Sequence, residues 1–98
     1  MRREEVLRIL DENREKIRSM HVDSLSLYGS VARNEAVHGS DVDLLVEFKE
    51  GHPKGLFEFI RVMNVLEDML GAKVDLVMPD GLRKEFRDQV LKEAIRAA

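Results

Sequence analysis

The sequence predicts a small α/β domain: a mixed sheet of three strands, or four, with helices packed on one face. Apolar residues recur at helical spacing in three stretches, and shorter apolar runs with strand character separate them. The resulting order is helix, strand, short helix, strand, helix, strand, helix. A helix between the second and third strands permits a parallel crossover, whereas the first two strands need not be parallel. The length of 98 residues is enough for one modest core and no second. Residues 1–98 are therefore expected to form a single domain.

From residue 3 to about 20, Val6, Leu7, Leu10, Ile17 and Met20 fall at roughly helical spacing, with a dense charged face between them. Residues 24–28, SLSLY, alternate polar and apolar and read as a strand. Gly29-Ser30 turns the chain, and VARNEA at 31–36 can form a short helix before the loop VHGS. Residues 41–48, DVDLLVEF, form the second strand, with Val42, Leu44, Val46 and Phe48 toward the core. Gly51, Pro53 and Gly55 mark a loop. Residues 56–70 form an amphipathic helix with Phe57, Ile60, Met63 and Leu66 or Leu70 inward, and Gly71 sits where a C-terminal cap belongs. Residues 73–78, KVDLVM, make the third strand, stopped by Pro79. Asp80 can cap a last helix to about Ala97, with Leu82, Phe86, Val90 and Ala94 as its inner stripe. The sheet face away from the helices is expected to be partly open.

Composition narrows the function classes. There is no cysteine, which removes disulfides, thiolate metal sites and thiol nucleophiles together. No apolar run approaches a membrane span, and MRREEVLRIL lacks the apolar centre of a signal peptide. The expected setting is cytoplasmic, with no membrane partner. Charged residues make up 36% of the chain, but the net charge is −3, so bulk charge does not hold nucleic acid and no direct nucleic-acid contact is expected. A polyanionic ligand would need a cation or backbone dipoles at its seat.

The stretch LYGSVARNEAVHGSDVDLLV carries the chemistry. Side chains alternate across a strand, so Asp41 and Asp43 point away from the Val42–Leu44–Val46–Phe48 stripe. Asp75 points outward on the third strand by the same logic, and shares their face if that strand adjoins the second. Neighbouring strands lie ~4.8 Å apart, so the three carboxylates can converge. Two like charges ~5 Å apart at an effective dielectric of ~20 repel by roughly 3 kcal/mol, and a proton or a cation must relieve that. Oxygen ligands without His or Cys favour Mg²⁺, and two such ions would clamp both oxygens of a phosphoryl displacement. Gly29 lets backbone amides approach a ligand, Ser30 offers a hydroxyl, and the short helix presents free N–H groups that favour phosphate. Together these describe a nucleoside-triphosphate seat.

Each residue also has a plainer reading. Acids are common at strand starts, and an exposed Arg33 on a helix needs no explanation. Context gives the set its weight, because a lone Asp-x-Asp is a weak signal. Glu47 shares the face but lies deeper along its strand and reads as surface. Tyr28 reads as a strand residue beside the site. His21, His38 and His52 lack ligand spacing and read as loop residues. GHPKG lacks the Walker pattern.

Gly-Ser, ten residues, Asp-x-Asp and a later strand Asp resemble the polymerase-β-like nucleotidyltransferases. GSVARNEAVHGSDVDLLVEF, GLFEF and GAKVDLVMPDGL are similar, in order and spacing, to the minimal nucleotidyltransferases of prokaryotes, often antitoxins beside a HEPN-domain ribonuclease toxin. The resemblance implies that fold and transfer of a nucleoside monophosphate, AMP from ATP, with pyrophosphate leaving. It implies Asp41 and Asp43 as metal ligands, with Asp75 completing the site and assisting the attacking hydroxyl. It further implies Gly29 and Ser30 on the triphosphate and Arg33 on phosphate or the partner. The acceptor would be a tyrosine hydroxyl of the HEPN toxin. Where relatives often read Arg-Gly-Glu, this chain has Arg33-Asn34-Glu35. The rival expectation is a binding antitoxin that neutralises its partner by occlusion, without turnover.

Overall fold

The computed structural model describes residues 1–37, 39–51 and 55–98. His38, His52 and Pro53, which the sequence assigns to loops, lie outside the described residues. Helix α1 (Arg3–Glu12) and helix α2 (Arg14–Arg18) lead into strand β1 (Val22–Tyr28), which runs directly into helix α3 (Gly29–Ala32). Strand β2 (Val42–Phe48), helix α4 (Leu56–Leu70) and strand β3 (Val74–Val77) follow. A 3-10 turn (Pro79–Gly81), helix α5 (Lys84–Glu93) and strand β4 (Ile95–Arg96) complete the order. The sheet is mixed and four-stranded, in the order β3-β2-β1-β4. β2 pairs parallel with β3, and β1 pairs antiparallel with both β2 and β4.

Apolar alternation selects the face that closes the core. Val42, Leu44, Val46 and Phe48 of β2 are all buried, as are Val74 and Leu76 of β3. On β1 the buried residues are Val22, Leu25 and Leu27, so the spacing changes from three to two. A register shift between Val22 and Ser24 absorbs the odd residue and returns Leu25 to the core side. Val6 and Leu10 of α1, Ile17 of α2, and Val62, Leu66 and Leu70 of α4 join the same cluster. On the opposite face Leu45 is also buried, and the 3-10 turn packs against β2.

Four expectations need correction. The first helix is not continuous: α1 ends at Glu12 and α2 begins at Arg14, and at the junction the Asn13 side-chain amide competes for the Ile9 carbonyl at 2.7 Å. The short helix spans Gly29–Ala32 instead of 31–36, and it stops where Asn34 takes a φ of 57°. On α4, Phe57 and Ile60 face solvent, Phe57 at 89% exposure. The inner stripe is rotated to Val62, Leu66 and Leu70, with Phe59 and Met63 packed beside it. The last helix begins at Lys84 behind Arg83, with Asp80 in the preceding 3-10 turn and Leu82 ahead of the helix; it ends at Glu93, and its Phe86 is exposed. The chain then extends as β4, because the free edge of β1 offers unpaired N–H and C=O groups that a continued helix would leave unused. Leu25 completes this ladder by exchanging hydrogen bonds with Ala97 and Ala98.

This orientation of α4 is open to test. Leu66→Ala is expected to lower unfolding free energy by about 3 kcal/mol in chemical denaturation, from lost burial plus the cavity left behind. Phe57→Ser is expected to change it by less than about 0.5 kcal/mol. The reverse ranking would place the wrong face of the helix on the sheet.

Candidate active site

The end of β1 and the starts of β2 and β3 meet at one end of the sheet, since β1 runs against β2 and β2 runs with β3. Tyr28 is the register partner of Asp43, and Asp43 is the partner of Asp75. Residues opposite one another on adjacent strands share a face, so Asp43 and Asp75 stand together on the side away from Val42, Val74 and the core. Asp41 lies exposed just ahead of β2. The Val42 N–H donates to the Lys73 carbonyl at 2.9 Å, which fixes the two strand starts against each other. The Glu67 carboxylate accepts from the Val74 N–H at 3.0 Å and ties α4 to the start of β3. Gly71, at a φ of 63°, makes the reversal that feeds α4 into that strand.

The electrostatics follow from this crowding. Burial, then the charges of Asp75 and Asp41 and a hydrogen bond with Asp75, push the Asp43 carboxyl up to about 6. Arg33 works the other way. Burial and the charges of Asp43, Asp75 and Glu93 push the Tyr28 phenol up to about 12, so it stands as a neutral O–H on the flank of the acids.

Gly29 opens α3 at a φ of 76° and faces Asp43. A Cβ at this position would collide with Asp43 Oδ2 and lie 3.0 Å from its Cγ, so any side chain here would displace the Asp43 carboxylate. Ser30 is half-buried beside it, and its carbonyl accepts from the Glu35 N–H at 2.8 Å. Arg33 caps the C-terminus of α3 and pairs with Glu35 at 3.0 Å. The positive φ of Asn34 explains the residue: asparagine tolerates the left-handed region better than most, and glycine suits it equally.

The structure thus brings Asp43, Asp75, Gly29 and Tyr28 together, with Asp41, Ser30 and Arg33 at the rim. Among the described residues, no three acidic, histidine or cysteine side chains are already gathered at metal-holding spacing. Asp41, Asp43 and Asp75 are the oxygen donors available here. Glu47 lies elsewhere, on a concavity of about 560 Å³ shared with Asp23, Phe48 and Asp80. Sequence reasoning missed Glu93, whose carboxylate accepts from the Gly29 N–H at 3.0 Å. No local pattern marks it, because the two residues are 64 positions apart.

Paired carboxylates close to a glycine main chain and an arginine suit a phosphorylated ligand together with its counter-cation. Residues 6–97 match the family described as the nucleotidyltransferase domain, and the chain belongs to that family. It is 38% identical over 93 residues to the protein adenylyltransferase MntA of Thermococcus cleftensis, covering 94% of this chain and 92% of that one. A solved structure provisionally named a minimal nucleotidyltransferase aligns at a TM-score of 0.72 and 42% identity, over 91% of this chain and 93% of that one. The fold also recurs in a chain from the complex of tri-AMPylated Shewanella oneidensis HEPN toxin with MNT antitoxin. That match has a TM-score of 0.65 and 17% identity, over 94% of this chain and 71% of that one. Among the described residues no helix is long and apolar enough to cross a membrane.

Two outcomes test this site. A carboxyl whose folded-state pKa is raised penalises the folded state only once it ionises. The penalty is absent below about 4 and complete above about 6, so stability falls as pH rises through that window. Screening at a partly exposed carboxyl holds the penalty to about 1 kcal/mol. In metal-free buffer Asp43→Asn should therefore raise Tm by several degrees at pH 7.5 and leave it unchanged at pH 4. Equal shifts at both pH values would remove the repulsion as the cause. Gly29→Ala should cost at least about 2 kcal/mol in chemical denaturation, from the strained φ and the collision with Asp43 together.

Proposed function

We propose that this enzyme transfers AMP from ATP to a hydroxyl of a protein partner, a HEPN-domain toxin, and thereby silences it as an antitoxin in the cytoplasm. The observation that carries the reading is the parallel register that sets Asp43 against Asp75 beside the Gly29 amide. Both the adenylyl group and the acceptor are supported by the names of the relative and of the structural neighbour. Residues 1–98 act as one minimal nucleotidyltransferase domain in this reading.

The donor set fits Mg²⁺. Asp43 is held toward its protonated form by burial and by two like charges, a strain that a hard divalent ion relieves through oxygen ligands. Asp41, Asp43 and Asp75 would hold two such ions, which when bound neutralise phosphate charge and polarise the reacting phosphorus–oxygen bonds. Gly29, Ser30 and Arg33 bind and orient the triphosphate, through an amide, a hydroxyl and a guanidinium respectively. The acceptor hydroxyl oxygen bonds to the α-phosphorus, the bond to the bridging oxygen breaks and pyrophosphate leaves. Asp75 takes the proton from the attacking hydroxyl. The neutral Tyr28 phenol supplies a hydrogen-bond donor at the flank without adding charge.

The test is transfer of label from [α-³²P]ATP to the co-expressed partner in the presence of Mg²⁺. Asp41→Ala, Asp43→Ala and Asp75→Ala are each expected to lower the rate by about 100-fold or more, the scale on which loss of one charge-stabilising group acts. Removing divalent ions with EDTA should stop transfer. Neutralisation of the partner that survives Asp41→Ala and Asp43→Ala, with no label transferred, would replace catalysis with occlusion.

A further inference from the structure

The Glu93 carboxylate holds both of the groups that a phosphate would use beside the acids. Its Oε1 accepts from the Gly29 N–H at 3.0 Å, and its two oxygens accept from Arg33 Nη1 at 3.1 and 3.0 Å. Amide and guanidinium donors bind carboxylate and phosphate oxygens by the same charge-assisted hydrogen bonds. We propose that Glu93 is an internal competitor for nucleotide phosphate, which must leave Gly29 and Arg33 before the triphosphate can seat and so sets nucleotide affinity. The inference rests on the nucleotidyl-transfer reading above.

Four features of the fold describe a lock that is held in place yet can open. The contact is more than a loose surface pair, since the Glu93 side chain is only 22% exposed. Its position is set by a scaffold: Glu93 ends α5, and two residues later Ile95 enters the ladder opposite Leu27, close to where β1 runs into Gly29. Yet α5 itself buries no residue, so no side chain of the helix has to leave the core if its end moves. Arg33 keeps a second carboxylate, Glu35, when Glu93 withdraws. Charge also favours exchange. Glu93, Asp43 and Asp75 each act on the Tyr28 phenol, so Glu93 carries its negative charge on the flank of the site and opposes an arriving polyphosphate until it gives way.

The experiment measures Kd for Mg²⁺·AMP-PNP by calorimetry, and KM and kcat for ATP, in the wild type, Glu93→Gln and Glu93→Asp. The glutamine is isosteric but neutral and a weaker competitor for both donors. The aspartate keeps the charge on a shorter side chain, and it serves as the probe if the glutamine variant does not fold. Glu93→Gln is expected to bind about tenfold more tightly, the scale of one charge-assisted hydrogen bond, and Glu93→Asp severalfold more tightly. KM should fall with Kd while kcat does not rise. Unchanged or weaker binding in a folded variant, with the wild type still binding, overturns the competitor and makes Glu93 a positioning residue for Arg33. Failure of the wild type and both variants to bind overturns the nucleotidyl-transfer reading, and the competitor with it.

Discussion

The parallel pairing of β2 with β3 is the constraint on which the site depends. Parallel strands need a crossover, and α4 supplies it, buried along Val62, Leu66 and Leu70. The helix sets where β3 starts through Gly71 and the Glu67 contact to Val74. With the start fixed, the register places Asp75 beside Asp43. A slip of one residue would turn Asp75 into the core and Val74 or Leu76 out to the site. The core thus enforces the geometry of the candidate site, because burying the valines and leucines leaves the aspartates only one side to occupy.

The acids are costly in themselves, and the fold tolerates them by placing apolar burial next door. Burial and neighbouring charge keep Asp43 near its protonated form at moderately acid pH, which is the opposite of what a carboxylate chosen for stability would show. Gly29 belongs to the same compromise. Its absent side chain is what allows the main chain to come so close to Asp43, at a φ that most other residues resist. These local departures from stability fall where the chemistry is expected, and the rest of the sheet obeys its alternation.

The sequence made the strands and the shared face of Asp43 and Asp75 legible, because period-two patterning states which side each residue takes. DVDLLVEF and KVDLVM each carry that statement in full. It was less informative where several apolar residues competed for one helix face. Phe57 and Ile60 fit a helical stripe as well as Val62 and Leu66 do, and only the rotation of α4 against the sheet decides between them. β4 was hidden for another reason. A two-residue strand has no periodicity, and its existence depends on the vacant edge of β1, a property of the assembled sheet. Glu93 was illegible on the same ground, as one acid among 19 in the chain until folding delivers it to Gly29.

β3 is the last strand at its side of the sheet, and it is only four residues long, from Val74 to Val77. Pro79 follows one residue later in the 3-10 turn, and a proline has no N–H with which to recruit another chain. The strand that carries Asp75 is thereby a poor template for intermolecular β-addition, so its outer border stays blunt while its inner border does the positioning.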